Sequence, residues 1–134
     1  MAIQWNSSLE TGVKEVDEAH KTLILWINKL TDAMKSGNGK QEVLNVLTFL
    51  EKYAAQHFSH EESCMDRHKC PAALANRKAH AEFFSYFSQV KSTIEKENVT
   101  TPMVLDLHTA LSDWLRNHIL KIDTTLRTCV KASA

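Results

Sequence analysis

The chain has 134 residues, enough for one domain with a buried core and no need of covalent staples. Hydrophobic residues make up 43% and charged residues 24%, the composition of a globular protein. Acids and bases cancel to a formal net charge of +0 and no basic cluster occurs, so there is no electrostatic case for nucleic acid or an anionic membrane as partner. The opening Met1-Ala2-Ile3-Gln4-Trp5-Asn6 has neither a basic segment nor an apolar one, and no apolar run approaches the ~20 residues that span a bilayer. The expected compartment is the cytoplasm. Near-zero net charge is compatible with a monomer or a weak oligomer.

Proline and glycine serve as punctuation. Residues 1–15 are expected to form an arm, with Gly12 inside it and Trp5 and Leu9 lying across the rest. The first helix is expected over about 16–36, on a stripe of Val16, Leu23, Ile24, Ile27, Leu30 and Met34. Gly37-Asn38-Gly39 ends it. The second runs over about 40–65, burying Val43, Leu47, Leu50, Ala54, Phe58 and Met65. Pro71 separates it from the third, over about 72–96, with Ala73, Phe83, Phe84, Phe87, Val90 and Ile94 on one face. The fourth is expected over about 102–128, with Thr101 as cap and Pro102 at the first helical position, where a missing N–H costs nothing. Its stripe holds Val104, Leu107, Leu111, Leu115, Ile122 and Leu126. Four amphipathic helices joined by short loops, with no strand alternation, predict an all-α, up-down-up-down antiparallel four-helix bundle forming a single domain.

The chemistry lies where polar residues interrupt these stripes. His20 falls four residues after Val16 and four before Ile24. His57 and Glu61, four apart, share the buried face of the second helix. His80 shares a face with Ala73, Phe83, Phe84 and Phe87, and His118 lies between Leu115 and Ile122. Burying such groups is costly unless they are satisfied. A lone inward histidine is usually a hydrogen-bonded core residue. One on every helix, joined by an inward carboxylate, points to a shared metal instead. Imidazole and carboxylate suit iron, copper, zinc or nickel, and the absence of a thiolate leans towards iron or manganese. Asp123 follows His118 by five residues, roughly 140° around an ideal helix. On geometry alone it is either a further ligand or a surface aspartate.

Other signatures are missing: no His-Glu-x-x-His, no Glu-x-x-His, no phosphate loop and no Gly-x-Ser-x-Gly. His60, His68 and His108 read as solvated surface histidines. Cys64 and Cys70 flank a short loop and could pair under oxidation, but they read more simply as ordinary reduced thiols; Cys129 carries no signal.

The segments Asp17-Glu18-Ala19-His20, His57-Phe58-Ser59-His60-Glu61-Glu62, His80-Ala81-Glu82-Phe83 and Trp114-Leu115-Arg116-Asn117-His118-Ile119-Leu120-Lys121-Ile122-Asp123 resemble those of the bacterial hemerythrins, and the resemblance covers nearly the whole chain. It implies two iron ions bridged by Glu61, Asp123 and an oxo or hydroxo oxygen, with His20 and His57 on one iron and His80 and His118 on the other. It promotes Asp123 to a ligand. It also implies reversible dioxygen binding at the His20/His57 iron, the work of a carrier, buffer or delivery protein and not of an enzyme, with an oxygen-consuming enzyme or redox protein as partner. Leu23, Ile24, Phe58, Leu115 and Ile119 would then wall an apolar oxygen pocket. One departure stands out. The family places a third histidine on the second iron, four residues before His80, where this chain has Asn76. Its amide could ligate weakly or hydrogen-bond a ligating water, leaving that iron less tightly held or open. A redox enzyme acting on peroxide or nitric oxide, and an oxygen or iron sensor, are the alternative readings.

Overall fold

The computed structural model describes residues 3–35 and 39–133, with the side chains of 131–133 left aside. The helices are α1 (Lys14–Ala33), α2 (Gly39–Arg67), α3 (Ala73–Lys96), α4 (Thr101–Lys121) and a short α5 (Leu126–Ser133); no strand occurs among the described residues. The four long helices form the bundle. Closest backbone approach is between α1 and α2, α2 and α3, and α1 and α4. Helices α3 and α4 meet through large side chains, with Phe83 and Trp114 rings 4.6 Å apart.

The stripes explain the assembly. Leu23, Ile24, Ile27 and Leu30 of α1 pack with Val43, Leu47, Leu50 and Ala54 of α2, Phe83, Phe87 and Ile94 of α3, and Val104, Leu107, Leu111, Leu115 and Ile119 of α4 in one apolar core. Burial of each large aliphatic side chain contributes about 1.5–3 kcal/mol. A second, smaller cluster of Val16, Cys64, Met65, Cys70 and Leu126 closes one end.

The arm is seated by specific contacts. Ile3 is buried, and its backbone N–H donates to Asn28 Oδ1 (3.1 Å) while its carbonyl accepts from Asn28 Nδ2 (2.8 Å). Leu9 is buried, and Lys21 lies 4.5 Å over the Trp5 ring. Gly12 turns the chain into α1 with φ +81°, a conformation costly for any side chain. Thr11 then folds back on α1, donating from its N–H and Oγ1 to Asp17 Oδ1 at 2.8 and 2.9 Å.

The observed bounds differ from those expected in several places. Helix α4 begins at Thr101, so the cap is Thr100, whose side chain accepts from the Met103 N–H. Helix α1 starts at Lys14, inside the expected arm, and ends at Ala33 with Met34 as its C-cap, short of the expected end at Ser36; Ser36, Gly37 and Asn38 lie outside the described residues. The fourth helix does not run to 128. It stops at Lys121, Ile122 leaves helical geometry (φ −117°, ψ −57°), and Asp123–Thr125 forms a 3₁₀ turn before α5. The Thr124 and Thr125 hydroxyls donate to the Leu120 and Ile122 carbonyls. Such local bonds compete with continuous helix.

This break corrects the reading of the cysteines. It places α5 against the bundle end, and Cys129 forms a disulfide with Cys70 in the loop between α2 and α3; Cys64 is a buried free thiol. The pairing joins residues 59 apart, so local spacing held no sign of it. On the other side of α5, Arg127 donates to the carbonyls of Ser7, Ser8 and Glu10 in the arm. His108 is also a correction. It is buried, with Nε2 3.0 Å from Asn28 Oδ1, because the arm covers that part of α4. His60 is exposed and His68 half-buried. No helix among the described residues is long and apolar enough to cross a membrane.

Candidate metal centre

The bundle brings His20 from α1, His57 and Glu61 from α2, Asn76 and His80 from α3, His118 from α4 and Asp123 from the turn after α4 to its interior. All seven are buried, none more than 5% exposed. Helical periodicity places the first six inward, because each stands in its helix's apolar stripe. Asp123 arrives differently. The 140° offset is absorbed where α4 gives way to the 3₁₀ turn, which brings its carboxylate to 3.1 Å from His118 Nε2.

Glu61 has one oxygen towards each pair of histidines. Oε2 lies 3.5 Å from His20 Nε2 and 3.3 Å from His57 Nε2. Oε1 lies 3.4 Å from His80 Nε2 and 3.8 Å from His118 Nε2. Asp123 repeats the pattern, with Oδ2 3.0 Å from His20 Nε2 and Oδ1 3.1 Å from His118 Nε2. The donors therefore fall into two halves that share both carboxylates. Two compact donor groups, His20/His57/Glu61 and Glu61/His80/His118, have the closeness a metal ion needs.

The electrostatics follow from this crowding. Burial lowers the pKa of His20, but hydrogen bonds and charges from Asp123 and Glu61 outweigh it and bring the group up to about 9. His118 reaches about 9 by the same balance. His57, for which burial prevails, is lowered. Burial raises Glu61, but His118, His20, His57 and His80 together hold it well below the usual carboxylate range.

The donors fit a metal. Although they crowd together, His20 Nδ1 and Nε2, His57 Nε2, both oxygens of Glu61 and of Asp123, and both amide atoms of Asn76 are buried without a well-directed hydrogen bond. Each such group costs about 1–3 kcal/mol, and cations at the centre of the cluster would satisfy the carboxylates and the imidazole Nε2 atoms together, leaving His20 Nδ1 and the Asn76 amide aside. His80 is already set for it. Its Nδ1 lies 2.8 Å from Glu62 Oε2, and a carboxylate only accepts, so the proton sits on Nδ1 and the Nε2 lone pair faces the cluster. Glu62 in turn meets Arg77 Nε at 3.4 Å. Sequence reasoning assigned no role to Glu62, although it directly follows Glu61. Phe58 stacks on His80 (centroids 3.8 Å) and Trp114 on His118 (4.6 Å), fixing both rings.

Of the expected pocket residues, Leu23, Phe58 and Leu115 line a small enclosed apolar cavity of about 10 Å³, together with Ile27, Leu50, Ala54 and Trp114. Ile24 and Ile119 are buried in the core but do not line it. A cavity of that volume is at the lower limit of the space a single water needs. A more open cleft of about 550 Å³ lies beside the disulfide, between Pro71 and Thr128, and includes none of the clustered donors.

The fold and the cluster define a helical bundle with a histidine–carboxylate cluster in its core that could hold a metal ion. The chain belongs to the hemerythrin family: the family's Hemerythrin HHE cation binding domain matches residues 11–129. Among relatives, the bacteriohemerythrin of Pseudomonas aeruginosa (strain LESB58) is 31% identical over 120 residues, covering 89% of this chain and 75% of that one. The myohemerythrin of Theromyzon tessulatum is 27% identical over 120 residues, covering 90% and 87%. A crystal structure of wild-type hemerythrin superposes with a TM-score of 0.85 at 27% identity, covering all of both chains.

Proposed function

We propose that this chain is a non-haem iron protein that binds dioxygen reversibly, with two irons held by His20 and His57 in one half and by His80 and His118 in the other, bridged by Glu61 and Asp123. The observation that carries this reading is the division of labour within the two carboxylates, each of which has one oxygen towards each half. Membership of the hemerythrin family supports iron as the metal and dioxygen as the ligand. When bound, the iron pair supplies two electrons to dioxygen and recovers them on release.

The protein's own part is to make that exchange reversible. Leu23, Leu115 and Phe58 form a dry wall that keeps out the water and protons that drain reduced oxygen away as peroxide. Glu62 holds the His80 proton on Nδ1, so the ring keeps one tautomer and orientation. Phe58 and Trp114 clamp the rings of the second half, leaving little freedom for a ligand to swing away.

The test is iron content per chain together with the visible spectrum of the reduced protein before and after oxygen. Two irons per chain, with a charge-transfer band that appears under oxygen and leaves under vacuum, is the expected result. A single iron, or oxidation without a reversible band, overturns the reading.

A further inference from the structure

Asn76 stands on α3 one turn before His80, wholly buried, and neither end of its amide meets a protein partner. Buried amides are nearly always partnered. Its surroundings suggest the partner. Each half of the cluster draws the same donors from the rest of the chain: two imidazoles and one oxygen from each of Glu61 and Asp123. Two histidines with carboxylate oxygens leave a six-coordinate iron with positions still to fill. On α3, the atom that reaches the cluster is the far ring nitrogen of His80, 3.4 Å from Glu61 Oε1 and 3.1 Å from His118 Nε2. An asparagine side chain ends roughly one bond nearer its own backbone than that nitrogen does. Asn76, one turn earlier on the same helix and with the shorter reach, is therefore placed to meet the cluster through a small molecule held between them. Its Nδ2–H₂ can donate to that molecule and its Oδ1 can accept from it.

We propose that the His80/His118 half keeps an exchangeable coordination position, occupied by a small anion or a solvent molecule that hydrogen-bonds to the Asn76 amide, so that the centre offers one external-ligand position in each half. This rests on the two-iron reading above. An imidazole at residue 76 closes the second position; a branched alkyl group of similar size leaves it open but without its hydrogen bond.

The test uses azide as probe on the oxidised, iron-loaded full chain, with iron counted first. Expected are two azides per chain in the wild-type protein by calorimetric and visible titration. Asn76→His should bind one, and should give up iron to a chelator more slowly. Asn76→Leu should still bind two, the second at least tenfold more weakly. One azide in the wild-type protein, or two that Asn76→His does not reduce, overturns the inference while the two-iron centre stands. Fewer than two irons before any azide is added overturns the two-iron reading, and this inference with it. Should Asn76→His fail to fold, the tenfold weakening in Asn76→Leu decides: a second azide bound as tightly as in the wild-type protein overturns the proposal.

Discussion

His80 is gripped on three sides: Glu62 at its Nδ1, Phe58 across its face and the cluster at its Nε2. Glu62 is about a quarter exposed, so its value is less in charge than in fixing where the proton sits. Partners of this kind are typically worth 10- to 100-fold in metal affinity. Replacing Glu62 by alanine should therefore weaken retention of one metal per chain by about that factor in a chelator competition, while the other metal is held as before. Uniform weakening of both metals, or none, would remove this role from Glu62. Leu115 tests a different neighbour of the site. With the cavity wall this tight, Leu115→Asn should speed autoxidation of the oxygenated protein several-fold, roughly the effect of admitting one water. A lifetime equal to the parent's would mean that the pocket lies elsewhere. At this scale the sequence was legible wherever a clustered donor obeys the helical period. His20, His57, Glu61, His80 and His118 each occupy a core position in a stripe. Glu62 does not: it sits on the flank of α2, and its partner lies on another helix. His108 was hidden for a similar reason, since its contact, Asn28 of α1, lies eighty residues away in the chain and is itself held by Ile3 of the arm.

Among the elements, the four long helices follow from periodicity, and their ends from Gly39, Pro71 and Pro102. The break after Lys121 has neither glycine nor proline to mark it. Its trace is the Ile122-Asp123-Thr124-Thr125 run, in which two threonine hydroxyls bond backwards to carbonyls and Asp123 turns inward. Asp123 could thus be named only by resemblance, and the disulfide beyond it not at all. That disulfide and Arg127 hold α5 from opposite sides, to the loop between α2 and α3 and to the arm, so the turn carrying Asp123 is anchored just downstream. A cross-link closing a loop of this length is worth about 3–4 kcal/mol against the unfolded chain. Reduction with a thiol, or Cys129→Ser, is expected to lower unfolding stability by about that amount and to hasten loss of metal to a chelator. If metal leaves at the same rate with the bond open, Asp123 is held by the cluster and the arm alone.

For the whole molecule, the two-iron reading makes metal and protons compete for the same nitrogens. In the metal-free protein His20 and His118 titrate near 9, against an ordinary 6.5. Groups raised on folding stabilise the fold fully below the ordinary value, and that contribution fades as pH climbs through the folded one. The metal-free protein should therefore lose stability between about pH 6.5 and 9, by at least about 1 kcal/mol. The loaded protein, whose imidazoles carry no cluster-side proton, should not show this decline, and stripping its metal should lower its melting temperature at every pH in that range. Metal uptake near pH 7.5 should also release protons, seen as a dependence of the binding heat on the buffer. A metal-free protein equally stable at pH 6.5 and 9 would show that the two histidines are not held protonated.

The 3.0 Å contact between His20 and Asp123 joins the first donor of the cluster to the last, 123 − 20 = 103 positions along the chain. A ribosome adding about 5–20 residues per second needs about 5–20 s to travel that distance. By the last part of that interval His20, His57 and Glu61 have all been made, but the carboxylate that closes the ring has not. Loading during synthesis is thus bound to pass through a half-built, exposed centre open to the wrong metal, whereas loading after release meets all the donors at once.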